Sequence, residues 1–542
     1  MTVVSTIRRV EERLAAPEFE EESILLQVDA ICAGFILSKN ALKFDQNLSN
    51  SSINELRGRI RSIYLNMSER IASYSVIARI GISLVLWMMG ANLKGEYVAL
   101  DKALCERAHP LHGPREGTLF EPGRFPADFK WGAGTCEYQL SGSAHCAHNQ
   151  WAPWEEKHLP AEVRTGTSTD HWDRTAEDVE LLKALGINSY RFSVEWSEIE
   201  MSPGVYNQSA IDHYKDLCQS LLDAGIEPCV TLHHFSHPQW FEELGAFEKE
   251  ENIAHIVRFA EKMASELDQV KTWFTINEPN VYAAMGYHSG FIGSYPPEGS
   301  YRYQKMFQVY ANMLRAHDQM YDAVKRVATH ETQIGIVHQM LEFEPSTPLE
   351  SPITSYLTWV FMTQPFMHFM RSGEFRMQIP GLVDVSYISE RPRGDFIGIN
   401  YYSRPLIEFF AEGGMGVQEN EVITDMGFRS HPAGLYKWLC ELHSLGLPLI
   451  ITENGIADAD DSRRKQFIEQ QLIAIQKAVE AGVNLQGYFH WSAFDNSEWD
   501  RGAGPIRFGL YAVDFETKER TLREGATAYT QAIAAWKSQH AI

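Results

Sequence analysis

Two kinds of hydrophobic pattern divide the chain. Upstream of residue 109 the apolar positions follow helical spacing. Ser52-Ile53-Asn54-Glu55 has the form of a capping box at the start of a long helix. Within that helix, residues 71–93 (IASYSVIARIGISLVLWMMGANL) are mostly apolar, with Arg79 the one charged residue. A membrane span needs about 20 such residues. The stretch therefore reads as a membrane anchor, as a lipid-facing amphipathic helix, or as a helix buried in an N-terminal bundle or against the following domain. Arg79 and the small polar residues favour the buried helix. Residues 109–124 (HPLHGPREGTLFEPGR) are rich in Pro and Gly without periodicity, so they read as a linker or crossing loop. The expected domains are a helical extension over 1–117 and a second domain over 118–542.

From residue 125 the pattern changes. Short, nearly continuous apolar runs occur at 129–135, 187–194, 227–234, 270–278, 332–339, 395–403, 448–454 and 484–492. Amphipathic helical stretches, such as 211–225 and 463–481, lie between many of them. Apolar strands alternating with helices imply a parallel sheet covered on both faces. Eight of them imply a closed (β/α)₈ TIM barrel more readily than an open sheet. The fold class is thus α/β: a TIM barrel preceded by an α-helical N-terminal segment. Residues 340–394 show no clear period and are expected to be an insertion.

Length agrees with this division. A TIM barrel takes about 250 residues and accepts insertions, and the chain has 542. The formal net charge of −23 argues against nucleic acid and anionic membrane as main partners. The seven cysteines (Cys32, Cys105, Cys136, Cys146, Cys218, Cys229, Cys440) form no CxxC pair and no His/Cys cluster. No metal and no organic cofactor is expected, and the thiols read as reduced. The first residues are too charged for a secretory signal. A cytoplasmic location is expected, with membrane association through 71–93 as the alternative. The N-x-S sequons at Asn47, Asn50, Asn66 and Asn207 are then chance matches.

Polar residues gather at the C-terminal ends of the strands: His233-His234, Asn277-Glu278, Asn400-Tyr401-Tyr402 and Glu453-Asn454. In a barrel that end carries the active site. One glutamate after a strand would be a helix cap or a salt-bridged carboxylate. Two, each beside an asparagine, on strands four and seven across the barrel mouth, are what glycosidic bond cleavage needs. One carboxyl protonates the leaving oxygen and the other attacks or stabilises the anomeric carbon. The 13 tryptophans suit sugar stacking and a large core equally well.

FPADFKWG, YRFSVEW, TINEP, ITENG and GYFHWSAFDNSEW, in this order, resemble glycoside hydrolase family 1, the β-glucosidase and β-galactosidase family of (β/α)₈ barrels. The likeness runs from about Phe125 to Trp536. It implies that Glu278 is the general acid/base and that Glu453 is the nucleophile forming a covalent glycosyl-enzyme. It implies that Arg191 and Tyr402 hold Glu453 ionised and oriented, and that Asn277 binds the sugar 2-hydroxyl. Gln139, His234, Trp491 and Glu498 match ring-hydroxyl and platform contacts, and Trp499 a further hydroxyl contact. Members acting on 6-phosphorylated sugars usually carry Ser, then Lys and Tyr, where this chain has Glu498-Trp499-Asp500-Arg501. Glu278 separates it from the myrosinase-like branch, which lacks the acid/base. The implied activity is retaining hydrolysis of unphosphorylated β-glucosides, β-galactosides or β-fucosides. The alternatives are a membrane-associated transglycosylase with a sugar or glycolipid acceptor, and a non-catalytic carbohydrate-binding member, which usually lacks one glutamate. The chain departs from the family's Q-x-E-G at Gln139-Leu140-Ser141-Gly142, from Tyr-His-Trp-Asp at His233-His234-Phe235-Ser236, and from an aromatic at Ser497. These departures bear on sugar and aglycone preference.

Overall fold

All eight apolar runs become strands of one closed sheet: β1 (Lys130–Gly134), β2 (Ser189–Ser193), β3 (Glu227–His233), β4 (Thr272–Asn277), β5 (Gln333–Gln339), β6 (Phe396–Asn400), β7 (Leu449–Asn454) and β8 (Leu485–Trp491). The order around the barrel is the order in the chain, and β8 pairs in parallel with β1 to close it. The structure, a computed structural model, describes residues 120–288, 295–298, 302–341, 343–345, 362–379, 383–390, 394–407 and 422–541. The helical reading of 1–117, including 71–93, lies outside the described residues. Among the described residues no helix is long and apolar enough to cross a membrane.

A helix follows each strand: α1 (His171–Ala184), α2 (Gln208–Asp223), α3 (Ile253–Glu266), α4 (Tyr303–Val327), α5 (Thr363–Ser372), α6 (Pro432–His443), α7 (Arg464–Glu480) and α8 (Thr527–His540). Their apolar stripes explain why they form. In α3, Ile253, Ile256, Phe259, Ala260 and Met263 are buried, at spacings of three and four that place them on one face. The expected helices 211–225 and 463–481 match α2 and α7 to within a turn.

One expectation needs correction. Residues 340–394 are not simply an irregular insertion. They contain α5, the barrel's fifth helix, and a two-stranded sheet of Glu374–Ile379 with Val383–Ile388. Helix α5 buries Phe366, Met367, Phe369 and Met370 within ten residues. That is too short a run to show a clear period, and Pro365 in its first turn hides the start.

Cys229, Phe274, Val337, Phe396, Ile450 and Phe489, all fully buried, fill the barrel interior. The Phe274 ring meets Phe396 at 5.3 Å and Phe489 at 6.5 Å, both edge to face. Glycines at the paired positions of neighbouring strands make room for these rings. A Cβ at Gly132 would lie 2.4 Å from the Phe489 ring, and one at Gly335 would lie 2.4 Å from the Phe396 ring.

Above this floor the strands break simple alternation. Phe274 and Asn277 both face inward although three residues apart, which regular pleating forbids. The ladder between β4 and β5 slips between those two residues. On β7, the side chains of consecutive Thr452 and Glu453 both reach inward partners, and the ladder with β8 slips between Ile451 and Asn454. The ladder between β6 and β7 slips at Asn400, which then pairs with Glu453. Such bulges re-aim side chains, and here they turn polar groups into the mouth.

Gly335→Ala tests the floor. The added methyl also meets the Phe396 carbonyl oxygen at 2.7 Å, and backbone cannot swing aside. The expected loss is about 1–3 kcal/mol of unfolding free energy, read as a lower Tm. An unchanged Tm would contradict this packing.

Candidate active site

Arg191 is the centre of the mouth. It sits on β2, fully buried, with its guanidinium 5.2 Å from the centre of the Phe274 ring. Its Nη1 donates to Glu453 Oε1 at 2.6 Å and its Nη2 to Asn277 Oδ1 at 2.7 Å. The Tyr402 hydroxyl donates to Glu453 Oε2 at 2.7 Å, so both oxygens of Glu453 face donors. Burial first, and then the charge of Glu453, holds the Tyr402 phenol well above its usual range, so it stays protonated and remains a donor.

Guanidinium has no acceptor, so its partners' polarity is forced. Asn277 must turn Oδ1 toward Arg191, which leaves Nδ2 facing His234 Nε2 at 3.1 Å. His234 Nε2 must then accept, and the ring carries its proton on Nδ1. Burial, then the neighbouring Arg191 and His233, hold His234 well below the usual histidine range, so it is neutral. Its Nδ1 is buried and finds no hydrogen-bond partner among the described residues, and neither does Gln139 Oε1. A buried donor and a buried acceptor left open in one cup suit a ligand with hydroxyl groups.

Glu278 stands across from Glu453. It takes a left-handed backbone (φ 45°, ψ 61°) at the junction of β4 with a helix over Pro279–Tyr287. A non-glycine residue held there carries about 1–3 kcal/mol of strain. The following proline disfavours the right-handed helical alternative. Asn400 Nδ2 donates to Glu278 Oε1 at 2.8 Å. Burial first, and then the negative charge of Glu453, pushes the Glu278 carboxyl well above the usual carboxylate range. Asn400 and Arg191 oppose the shift.

The remaining expected residues line the same mouth. Trp491 ends β8, with its ring 5.7 Å from His234. The Trp499 ring stacks on Tyr138 at 5.8 Å and lies 4.6 Å from Trp151. Gln139 Nε2 donates to the Ser497 carbonyl at 2.7 Å. Glu498 is half-buried, and burial followed by Asp500 pushes its carboxyl up to about 8.

The departures also find partners. The Ser497 hydroxyl donates to the Gln139 carbonyl at 2.9 Å, a bond a phenyl ring cannot make. Ser141 donates to Glu137, one helical turn earlier, so a buried carboxylate is present there after all. Phe235 meets Trp499 edge to face at 5.5 Å.

Asn400 and Thr452 carry no expected role, yet both sit within the polar network. Asn400 Nδ2 also donates to Asn277 Oδ1 at 3.1 Å, and Thr452 Oγ1 donates to Asn400 Oδ1 at 2.6 Å. The one local signal for Asn400 is its place as the last residue of an apolar strand, facing inward like Phe396 and Gly398.

A parallel (β/α)₈ barrel with two buried glutamates and open hydrogen-bonding groups at its C-terminal mouth has the architecture of a glycosidase. The family model described as Glycosyl hydrolase family 1 matches residues 121–538, and the chain belongs to this family of glycoside hydrolases. It is 31% identical over 448 residues to Beta-glucosidase A of Acetivibrio thermocellus, spanning 76% of this chain and 98% of that protein. It is 26% identical over 500 residues to Beta-galactosidase of Pyrococcus woesei, spanning 76% and 97%. The beta-glycosidase from Pyrococcus horikoshii superposes with TM-score 0.68 at 34% identity, covering 77% of this chain and 96% of that one. The family 1 β-glucosidase from Thermotoga maritima in complex with isofagomine lactam gives 0.67 at 28%, covering 76% and 99%. The protein is a β-glycosidase.

The forced polarity has a spectroscopic consequence. Nitrogen-15 shifts of His234 are expected to report the Nδ1–H tautomer, with no protonation across about pH 5–8. A titration in that window, or the other tautomer, would contradict the network.

Proposed function

We propose that the chain is a retaining β-glycosidase that hydrolyses unphosphorylated β-glycosides, with glucose, galactose or fucose as glycone, by double displacement. The observation that carries this reading is the unequal setting of the two glutamates. Glu453 has both oxygens met by donors from Arg191 and Tyr402. Glu278 has one oxygen met by a neutral amide and is pushed upward by burial and by Glu453 itself. Two carboxyls whose environments differ in this way divide into an anionic nucleophile and a protonated acid.

In the first step Glu453 bonds to the anomeric carbon while Glu278 gives its proton to the departing oxygen. Glycosylation removes the charge of Glu453, and with it the second-largest upward push on Glu278. Glu278 is then free to accept a proton from water, whose oxygen displaces Glu453 from the sugar. Gln139, His234, Trp491, Glu498 and Trp499 would hold the sugar. A site built to bond hydroxyls rejects analogues lacking them.

Glu498 stands where members acting on 6-phosphorylated sugars usually carry Ser, and an anionic carboxylate there would repel a phosphate. With its carboxyl pushed up to about 8, Glu498 is mostly protonated near neutral pH and acts by hydrogen bonding more than by repulsion. Its neighbour Arg501 is paired with Asp500 at 3.8 Å. That pairing leaves the neighbouring cation already matched by a carboxylate.

A panel of aryl β-glycosides tests the reading. Glu453→Ala is expected to reduce hydrolysis to background, and undiminished turnover would sink the mechanism. Glu278→Ala is expected to slow poor leaving groups by about 10²–10⁴, with azide restoring turnover of activated substrates as the glycosyl azide. Absence of that product would remove Glu278 from the acid/base role.

The pH profile has a definite sign. The acid form is required for the first step, so the basic limb of kcat/KM should lie at the raised pKa of Glu278, with activity lost as pH rises through it. In Glu453→Gln the Glu278 carboxyl should titrate at lower pH, because a negative neighbour is gone. A titration that moves up or stays put in carbon-13 spectra would contradict the coupling.

A further inference from the structure

Asn400 makes three side-chain hydrogen bonds, and their directions are not free. Arg191 forces Asn277 to present Oδ1. The Asn400 atom 3.1 Å from that oxygen must be a donor, so it is Nδ2. The other hydrogen of Nδ2 points at Glu278 Oε1, 2.8 Å away. Asn400 Oδ1 is left facing Thr452 Oγ1, which donates to it at 2.6 Å. All four side chains are buried. A flipped amide would set two acceptor oxygens 3.1 Å apart beside Asn277 with no proton between them.

We propose that Asn400 is a positioning residue that decides which oxygen of Glu278 carries the catalytic proton. The proposal rests on Glu278 being the acid/base. Because Nδ2 only donates, Glu278 Oε1 accepts in both protonation states, a task that suits the carbonyl oxygen of the acid form better than its hydroxyl oxygen. The proton of the acid form therefore sits on Oε2. In the first step the Oε2–H bond breaks and the proton goes to the glycosidic oxygen. The electron pair of the C1–O bond leaves with that oxygen as Glu453 bonds C1. In the second step water oxygen bonds C1, its proton returns to Oε2, and the electron pair of the C1–Glu453 bond returns to the carboxylate. One oxygen gives the proton and takes it back, and no rotation of the carboxyl is needed between the steps. Arg191 thus acts on both glutamates: on Glu453 directly, and on Glu278 through Asn277 and Asn400.

The experiment compares kcat/KM for a methyl glycoside, which needs the acid, with that for a 2,4-dinitrophenyl glycoside, whose leaving group departs unaided. Asn400→Ala frees Glu278 Oε1 to take the proton. The expected result is a loss of about tenfold or more for the methyl glycoside, with little change for the dinitrophenyl glycoside. The basic limb of the pH profile should move upward, since an N–H bond to the anion is lost. In a Glu278→Ala background the same change should have no further effect on the methyl glycoside, because there is no proton left to place. Equal losses for both substrates, an unmoved basic limb, or additive losses in the double variant would each overturn the proposal in favour of a structural role. Asn400→Asp, the same shape with an acceptor where Nδ2 stood, should show the same split if Asn400→Ala folds poorly. Glu453→Ala and Glu278→Ala run beside these variants as controls. Undiminished activity of Glu453→Ala on either substrate, or of Glu278→Ala on the methyl glycoside, would overturn the double-displacement reading itself, a result distinct from any Asn400 outcome.

Discussion

A buried guanidinium that can only donate is the constraint on which the site depends. Arg191 has the Phe274 ring within 5.2 Å and Glu453 and Asn277 at hydrogen-bond distance, so it ties β2, β4 and β7 together at the mouth. Removing one partner of such a buried pair typically destabilises by about 3–5 kcal/mol, because the remaining charge stays buried. The same ties fix which atoms around them donate and which accept. Asn277, Asn400 and His234 each inherit a fixed polarity from this one side chain. Electrostatic pre-organisation of this kind requires no rearrangement when charge develops.

The barrel bends its own rules where that network needs it to. The floor obeys strict alternation, with phenylalanines opposite glycines. One layer higher, β4, β6 and β7 each slip register, and Glu278 and Phe235 take positive φ. Regular pleating would send one of each neighbouring pair, Asn277 or Glu278, Thr452 or Glu453, to the helical side of the sheet. The irregularities let both reach the mouth, and the rigid sheet beneath holds the strain.

Much of this was legible in the chain. Every apolar run became a barrel strand, because strands covered on both faces lack a polar side that could disguise them. Glu278, Glu453 and their neighbours stood out as charged residues ending such runs. Short α5 was not legible, since ten residues carry barely three turns of pattern. The role of Asn400 was hidden for a different reason. Its importance comes from which atom of its amide faces which neighbour, and that follows from Arg191, more than two hundred residues away in sequence. The upward push on the Glu498 carboxyl was likewise out of reach, because burial first and Asp500 second cause it, and residue type does not.

The phenylalanine floor also sets what the polar layer above it feels. Phe274, Phe396 and Phe489 pack ring against ring, and the Phe274 ring lies 5.2 Å from the guanidinium of Arg191, so that charge meets hydrocarbon on one side. Charges beside such a layer interact in a lower effective dielectric than in water, and each reaches its neighbours with more force. A hydrocarbon bed under paired glutamates therefore works as an insulator does, keeping the field of Arg191 on the groups at the mouth.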